Sequence, residues 1–104
     1  MTLSRAKPDP QASRKEQKLI ERTIEIADPI GMHARPAGQI VKLAKETGVK
    51  ILMGRDPESM IEAKSPIMLL GKKFKTGEQL VFQVEAEATQ ANQILDEISG
   101  YLGN

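Results

Sequence analysis

Residues 30–48 have the sequence IGMHARPAGQIVKLAKETG, which combines a strong helical pattern with the only histidine of the chain, His33. Four apolar residues recur at the i, i+3, i+4 and i+7 spacing of one helix face. They are Ala37, Ile40, Val41 and Ala44. Gly48 follows where a left-handed C-terminal cap belongs. The stretch therefore predicts an amphipathic helix that begins just after His33 and buries one face in a core.

Four segments outside this helix show the alternation of polar and apolar residues that is typical of half-buried strands. They lie at residues 19–26, 49–53, 59–63 and 78–87. The turn-forming sequence GRDPES lies between the second and the third segment. We therefore expect these two strands to form a hairpin.

Two further helices are predicted from a cap and from periodicity. Ser65 and Pro66 open the segment SPIMLLGKKFKTG as an N-cap and the residue favoured at the first helical position, so a short helix should end near Gly71 or a little beyond. A third helix is predicted from Ala88 to the terminus. Its apolar stripe consists of Ala91, Ile94, Leu95, Ile98 and Leu102. The predicted order is β-α-β-β-α-β-α, an α+β fold in which the helices cover one side of the sheet as an open-faced sandwich.

Composition narrows the class of protein. A chain of 104 residues with 39% hydrophobic and 28% charged residues is expected to form one soluble domain. There is no cysteine, which excludes disulfides and thiolate metal sites. No apolar run has the length of a membrane span, and the charged N-terminal region has no signal-peptide core. We therefore expect a cytoplasmic monomer without membrane insertion.

Charge is distributed unevenly along the chain. Residues 1–18 carry five basic and two acidic residues, which gives them a net charge of +3. Because the whole chain has a net charge of +1, the other 86 residues have a net charge of −2. We interpret residues 1–18 as a disordered basic extension and residues 19–104 as the folded domain; a binding arm is the alternative for the extension. The acidic body contains three aromatic residues, which argues against nucleic-acid binding.

His33 lies at the predicted N-terminus of the helix. Free backbone N–H groups and the helix dipole make this position suited to phosphate, here through the amides of Ala34 and Arg35. The placement makes sense for a neutral imidazole whose nitrogen lone pair attacks phosphorus, with Arg35 supplying further donors. The alternative is that His33 is a surface or capping residue. We expect no metal site, because no second histidine, cysteine or suitably spaced carboxylate accompanies it.

A cationic stripe is predicted on the solvent face of the same helix. Arg35, Gly38, Lys42 and Lys45 follow one another at intervals of three, four and three residues. Such a stripe could receive an acidic partner surface, although an ordinary solvated helix face has the same pattern.

Two motifs carry a family resemblance. GMHARPAG at residues 31–38, an amphipathic helix, and KSPIML at residues 64–69 resemble the histidine-containing phosphocarrier (HPr) family of the bacterial phosphoenolpyruvate-dependent phosphotransferase system, including its nitrogen-branch relatives. The resemblance covers about residue 19 to the C-terminus. It implies an HPr-like open-faced β-sandwich, a four-stranded antiparallel sheet covered on one side by three helices, in agreement with the order predicted above.

The resemblance also implies a function. Enzyme I, charged by phosphoenolpyruvate, would pass a phosphoryl group to Nδ1 of His33, and the chain would pass it to an enzyme IIA. Arg35 takes the position of the phosphate-assisting arginine, and Lys42 and Lys45 match basic positions that dock acidic partners. The chain would then be a carrier without turnover of its own and without a cofactor, since the phosphoryl group comes from phosphoenolpyruvate through Enzyme I.

The second motif concerns regulation and docking. Ser65 lies where some family members have a serine phosphorylated by HPr kinase/phosphorylase, and the alternative is a plain N-cap. Ile67 and Leu70 correspond to apolar positions that face partners in the family, although core packing could also account for them. Pro66 departs from the usual aliphatic residue, and the turn at GRDPES is one residue longer than usual.

A second functional class stays open. The domain could act as a regulatory phosphoprotein that binds partners according to the phosphorylation of His33 or Ser65, with no sugar uptake downstream. The presence of the histidine favours transfer, and the sequence does not decide between a sugar branch and a nitrogen branch.

Overall fold

Seven elements make up the part of the chain that the computed structural model describes, residues 18–104. In chain order they are β1 (Lys18–Glu25), α1 (Ala34–Thr47), β2 (Lys50–Gly54), β3 (Ile61–Glu62), α2 (Pro66–Gly71), β4 (Gln79–Ala86) and α3 (Ala88–Tyr101). The predicted order β-α-β-β-α-β-α is confirmed. The extension predicted at residues 1–18 falls outside the described residues, apart from Lys18, which is the first residue of β1.

The strands form one four-stranded sheet in the order β1-β4-β2-β3, and each neighbouring pair is antiparallel. Ile24 of β1 lies opposite Leu80 of β4, and Met53 of β2 lies opposite Phe82 of β4. Because side chains alternate between the faces of a strand, this register puts the apolar residues of all three strands on the same face.

The core lies between this face and the helices. Ile40 of α1, Leu69 of α2, Phe82 of β4 and Leu95 of α3 are all fully buried. Each such side chain contributes about 1.5–3 kcal/mol relative to an exposed position. The single covered face of the sheet confirms the predicted open-faced sandwich, and the core is aliphatic apart from Phe74 and Phe82.

The opposite face of the sheet is not covered by the helices and carries mostly polar side chains. Glu21, Thr23 and Glu85 are exposed there, and Gln83 donates a hydrogen bond to Oε1 of Glu21 at 3.0 Å. Cross-strand pairs of this kind satisfy polar groups on a solvated face. We use the name "open face" for this surface.

Helix α1 begins and ends where the sequence predicts. His33 has extended backbone angles and is the N-cap, and Pro36 lies in the first turn, where its missing N–H removes no helical hydrogen bond. Gly48 has a φ of 69°, and its N–H donates to the carbonyl of Ala44 at 3.0 Å.

The predicted apolar face of α1 is buried at three of its four positions, which are Ala37, Ile40 and Val41. The fourth, Ala44, is half-buried.

Several other boundaries differ from the sequence predictions. β2 covers Lys50–Gly54 rather than residues 49–53, and β4 covers Gln79–Ala86 rather than residues 78–87. β1 covers Lys18–Glu25 rather than residues 19–26. β3 is limited to Ile61–Glu62, because only these two residues pair with β2. α3 ends at Tyr101 instead of at the terminus, because the N–H groups of Gly103 and Asn104 turn back to the carbonyls of Gly100 and Ser99.

Candidate functional site

His33 occupies the junction between an extended loop and helix α1. Its carbonyl accepts the first helical hydrogen bond, from the N–H of Ala37 at 3.1 Å, and its side chain makes no capping bond. The N–H groups of Ala34 and Arg35 therefore have no acceptor within the helix. The imidazole is 29% exposed, so it is accessible from one side while being held on the other.

Asp28 is the residue that holds the imidazole. Its Oδ2 lies 3.3 Å from Nε2 of His33, and its Oδ1 accepts the N–H of Ile30 at 2.8 Å. The hydrogen bonds from Ile30 and from His33 lower the pKa of Asp28 below its usual value. Nδ1 of His33 has no hydrogen bond to any residue from 18 to 104. Sequence reasoning did not identify Asp28 as a residue of the site.

The C-terminal end of the described chain fixes one side of the loop at residues 26–33, which we call the histidine loop. The carbonyl of Leu102 accepts the N–H groups of Ala27 and Asp28, both at 2.9 Å. Gly103 adopts a φ of 93°, and a Cβ at this residue would lie 2.7 Å from the nitrogen of Asp28. Only a residue without a side chain fits so close to the loop.

The connection between α2 and β4 fixes the other side of the histidine loop. The N–H of Met32 donates to the carbonyl of Phe74 at 3.1 Å, and Oγ1 of Thr76 donates to the carbonyl of Asp28 at 2.6 Å. Gly31 has a φ of 84° and lies against the same connection. His33 therefore projects from a loop that is anchored from two directions.

An arginine behind this connection keeps it in place. Arg55 lies 4.8 Å from the centroid of the Phe74 ring and pairs with the carboxylate of Glu78. Its guanidinium also donates to the carbonyls of Lys72 and Lys73, at 3.0 and 3.2 Å, at the end of α2. Arg55 comes from the GRDPES turn, so the turn is joined to the support of the histidine loop.

Arg35 is exposed in the first turn of α1, on the side of Asp28. Its guanidinium has no hydrogen bond or ion pair within residues 18–104, and with Asp28 and Gln39 it lines a depression of about 270 Å³. An unpaired guanidinium beside free helical N–H groups can receive an anion without first losing a protein partner.

The cationic stripe predicted on α1 is solvent-exposed at its three charged positions. Arg35, Lys42 and Lys45 are exposed and Gly38 is half-buried. Nζ of Lys42 lies 3.9 Å from Glu46, which is a weak surface pair.

Helix α2 adds an apolar surface next to α1. Ile67 is 78% exposed and Met68 is 52% exposed, whereas Leu70 packs against the core. The docking position expected at Leu70 is therefore only partly accessible.

Sequence reasoning missed the exposure of two apolar side chains. One is Met68, and the other is Ile30, which lies in the histidine loop and is 73% exposed. Ser65 is the half-buried N-cap of α2.

Within residues 18–104, no group of three or more His, Cys, Asp or Glu residues is arranged to hold a metal ion. None of the helices there is long and apolar enough to cross a membrane.

A family model described as the PTS HPr component phosphorylation site matches residues 20–104. The chain belongs to the HPr family. It is 33% identical over 73 residues to the phosphocarrier protein HPr of Streptomyces coelicolor, which covers 70% of this chain and 78% of the relative. It is also 33% identical over 76 residues to the phosphocarrier protein NPr of Klebsiella oxytoca, covering 73% and 82%. Membership in the HPr family gives the chain a phosphocarrier role in a phosphotransferase system.

A solved structure supports the fold. The crystal structure of a phosphocarrier protein HPr from Bacillus anthracis matches with a TM-score of 0.67 over 80% of this chain and 95% of that chain, at 22% identity. The HPr-like open-faced sandwich expected from the sequence is thus confirmed.

Proposed function

We propose that the chain accepts a phosphoryl group on Nδ1 of His33 from phosphorylated Enzyme I and passes it to an enzyme IIA of the phosphotransferase system. The observation that supports this best is the setting of His33 at the N-terminus of α1, where Nε2 contacts Asp28 and Nδ1 has no hydrogen bond to any residue from 18 to 104. A neutral imidazole in that setting offers a lone pair toward a site that suits phosphate.

The transfer is a displacement at phosphorus. The Nδ1 lone pair forms the new N–P bond as the bond from phosphorus to the donor group breaks, and the donor leaves with that electron pair. The N–H groups of Ala34 and Arg35 and the guanidinium of Arg35 would compensate the charge on the phosphoryl oxygens. The passage to the acceptor follows the same steps in the opposite direction.

The protein contributes position and charge rather than covalent chemistry of its own. Phosphoenolpyruvate supplies the phosphoryl group through Enzyme I, so the proposal involves no cofactor. The partial exposure of the imidazole suits a carrier, because the phosphate must remain accessible to the next protein. In this proposal the chain is a protein substrate without independent turnover.

Partner docking would use α1 and α2 together. Lys42 and Lys45 offer positive charge, while Ile67 and Met68 offer exposed apolar area on the neighbouring helix. A partner surface with acidic residues around an apolar centre complements this arrangement.

A second candidate function, regulation by phosphorylation of Ser65, is favoured by one observation. Ser65 is the N-cap of α2, yet its side chain makes no capping hydrogen bond. Its hydroxyl is not needed to cap the helix, so an HPr kinase/phosphorylase could modify it. A phosphate there would place negative charge at the N-terminus of α2, next to the apolar docking residues.

Intact-mass spectrometry tests the proposed transfer. The protein is mixed with Enzyme I, Mg²⁺ and phosphoenolpyruvate and measured before and after acid treatment. We expect one added phosphate that acid removes and that is absent from His33→Ala. Acid-labile phosphate on the His33→Ala variant would overturn the assignment. The regulatory candidate is tested in a second mixture with an HPr kinase/phosphorylase and ATP as the phosphoryl donor, where phosphate that persists in acid and is absent from Ser65→Ala would support it.

A further inference from the structure

We propose that Asp28 is a positioning residue that keeps the proton of the neutral His33 ring on Nε2 and so leaves the Nδ1 lone pair free for phosphorus. The inference rests on the proposed function and deepens it, because it assigns a role to a residue outside the motif GMHARPAG. It concerns the state of the ring before any partner binds.

The contact between the two side chains sets the tautomer. Oδ2 of Asp28 lies 3.3 Å from Nε2 of His33. An ionised carboxylate can only accept hydrogen bonds, so the nitrogen that faces it must carry the proton. A neutral imidazole has one N–H, which leaves Nδ1 unprotonated.

Asp28 is itself fixed, so it can hold the ring rather than follow it. Its Oδ1 accepts the N–H of Ile30, and its own N–H donates to the carbonyl of Leu102. The carboxylate therefore has one oxygen committed to the loop and the other directed at the imidazole.

The positive potential around the His33 ring makes a carboxylate partner useful. The positive end of the α1 dipole lies at the ring, and Arg35 follows two residues further along the chain. Once Nδ1 holds the phosphoryl group and Nε2 keeps its proton, the ring carries a formal positive charge. The carboxylate of Asp28 lies against the Nε2 side of that ring and compensates this charge.

Two substitutions separate this role from a purely structural one. In Asp28→Asn the amide has a single acceptor oxygen, and the N–H of Ile30 requires it. The amide NH₂ group then faces Nε2, so the ring must accept there and carry its proton on Nδ1. Thr76→Val is the matched control, because it removes a hydrogen bond from the same loop and does not touch the imidazole.

The measurement is ¹⁵N NMR of His33 in histidine-labelled protein at a pH where the ring is neutral, together with the rate of phosphoryl transfer from Enzyme I. We expect an Nε2–H ring in the wild type and in Thr76→Val, and a shift toward Nδ1–H in Asp28→Asn. Because partners that orient a histidine commonly change activity on the order of 10- to 100-fold, we expect a loss of that size in Asp28→Asn alone.

An unchanged tautomer in Asp28→Asn would overturn the inference, and so would equal losses of transfer rate in Asp28→Asn and Thr76→Val. Failure of the wild type to take up phosphate would overturn the proposed function instead. The tautomer comparison would still decide whether Asp28 orients the ring, because it needs no partner protein.

Discussion

The carbonyl oxygen of Leu102 accepts the N–H of Asp28 at 2.9 Å, so the C-terminal end of α3 holds the residue that contacts the imidazole. This hydrogen bond connects the C-terminal end of α3 with the loop that leads into the N-terminus of α1. The position of His33 therefore depends on segments that are distant in sequence.

Gly103→Ala should disturb the histidine loop. A Cβ at this residue would collide with the nitrogen of Asp28, and the left-handed backbone costs a non-glycine residue about 1–2 kcal/mol in addition. Gly77→Ala is the matched control, because Gly77 has a φ of 90° but no atom within 4 Å of its Cβ position. In thermal unfolding, we expect Gly103→Ala to lose more stability than Gly77→Ala. We expect the NMR signal of His33 to shift in Gly103→Ala and to stay in place in Gly77→Ala. Equal effects of the two substitutions would show that the close approach is unimportant.

Arg35→Ala should slow phosphoryl transfer without abolishing it. The guanidinium would stabilise charge on the phosphoryl oxygens, and removing one such donor costs on the order of 10²-fold in favourable cases. His33→Ala should remove transfer completely. Rapid-quench kinetics with saturating phospho-Enzyme I measures the step within the complex. A rate for Arg35→Ala equal to that of the wild type would remove this arginine from the mechanism.

Lys45→Glu should weaken binding of Enzyme I rather than the chemical step. Reversing a charge on the docking surface lowers the association rate, and the effect should shrink as salt screens the charges. Lys50→Glu is the control, because Lys50 is exposed on the open face. We expect a higher KM at low salt for Lys45→Glu and little change for Lys50→Glu. If both variants respond alike, net charge and not a local surface governs the encounter.

Glu78→Gln should make stability less dependent on pH. The hydrogen bond from Arg55, and then that from the backbone of Lys75, lower the pKa of Glu78 in the folded state. A lowered pKa stabilises the fold fully above the unfolded value of about 4.3, and this contribution is lost as the pH falls through the folded value.

The variant should accordingly be less stable than the wild type at pH 7 and approach it in acid. Urea unfolding at several pH values measures the difference, and Arg55→Gln should show the same convergence. A constant gap at all pH values would contradict the assignment.

The parts of the fold that sequence reasoning predicted correctly are those with local causes. Helix α1 has its limits because Pro36 suits a first turn and Gly48 suits a left-handed cap, and both properties belong to the residues themselves. β4 is likewise predicted from the alternation of polar and apolar residues, which can be seen in its own sequence.

The parts that sequence reasoning missed depend on contacts between distant segments. β3 has two paired residues because its register with β2 is set across a turn. Asp28 reaches His33 because the loop is bent at Gly31 and tied to Leu102, 74 residues further along the chain. Met68 is exposed because the packing of α2 on α1 decides which side of so short a helix is covered.

The open face of the sheet offers a way to observe the protein at work. Thr23 is exposed there, away from the side that the helices and His33 occupy, and the whole chain has no cysteine. A Thr23→Cys substitution would thus provide a single thiol for a fluorophore or for surface attachment. Binding of Enzyme I could then be followed in real time without altering any residue of the site.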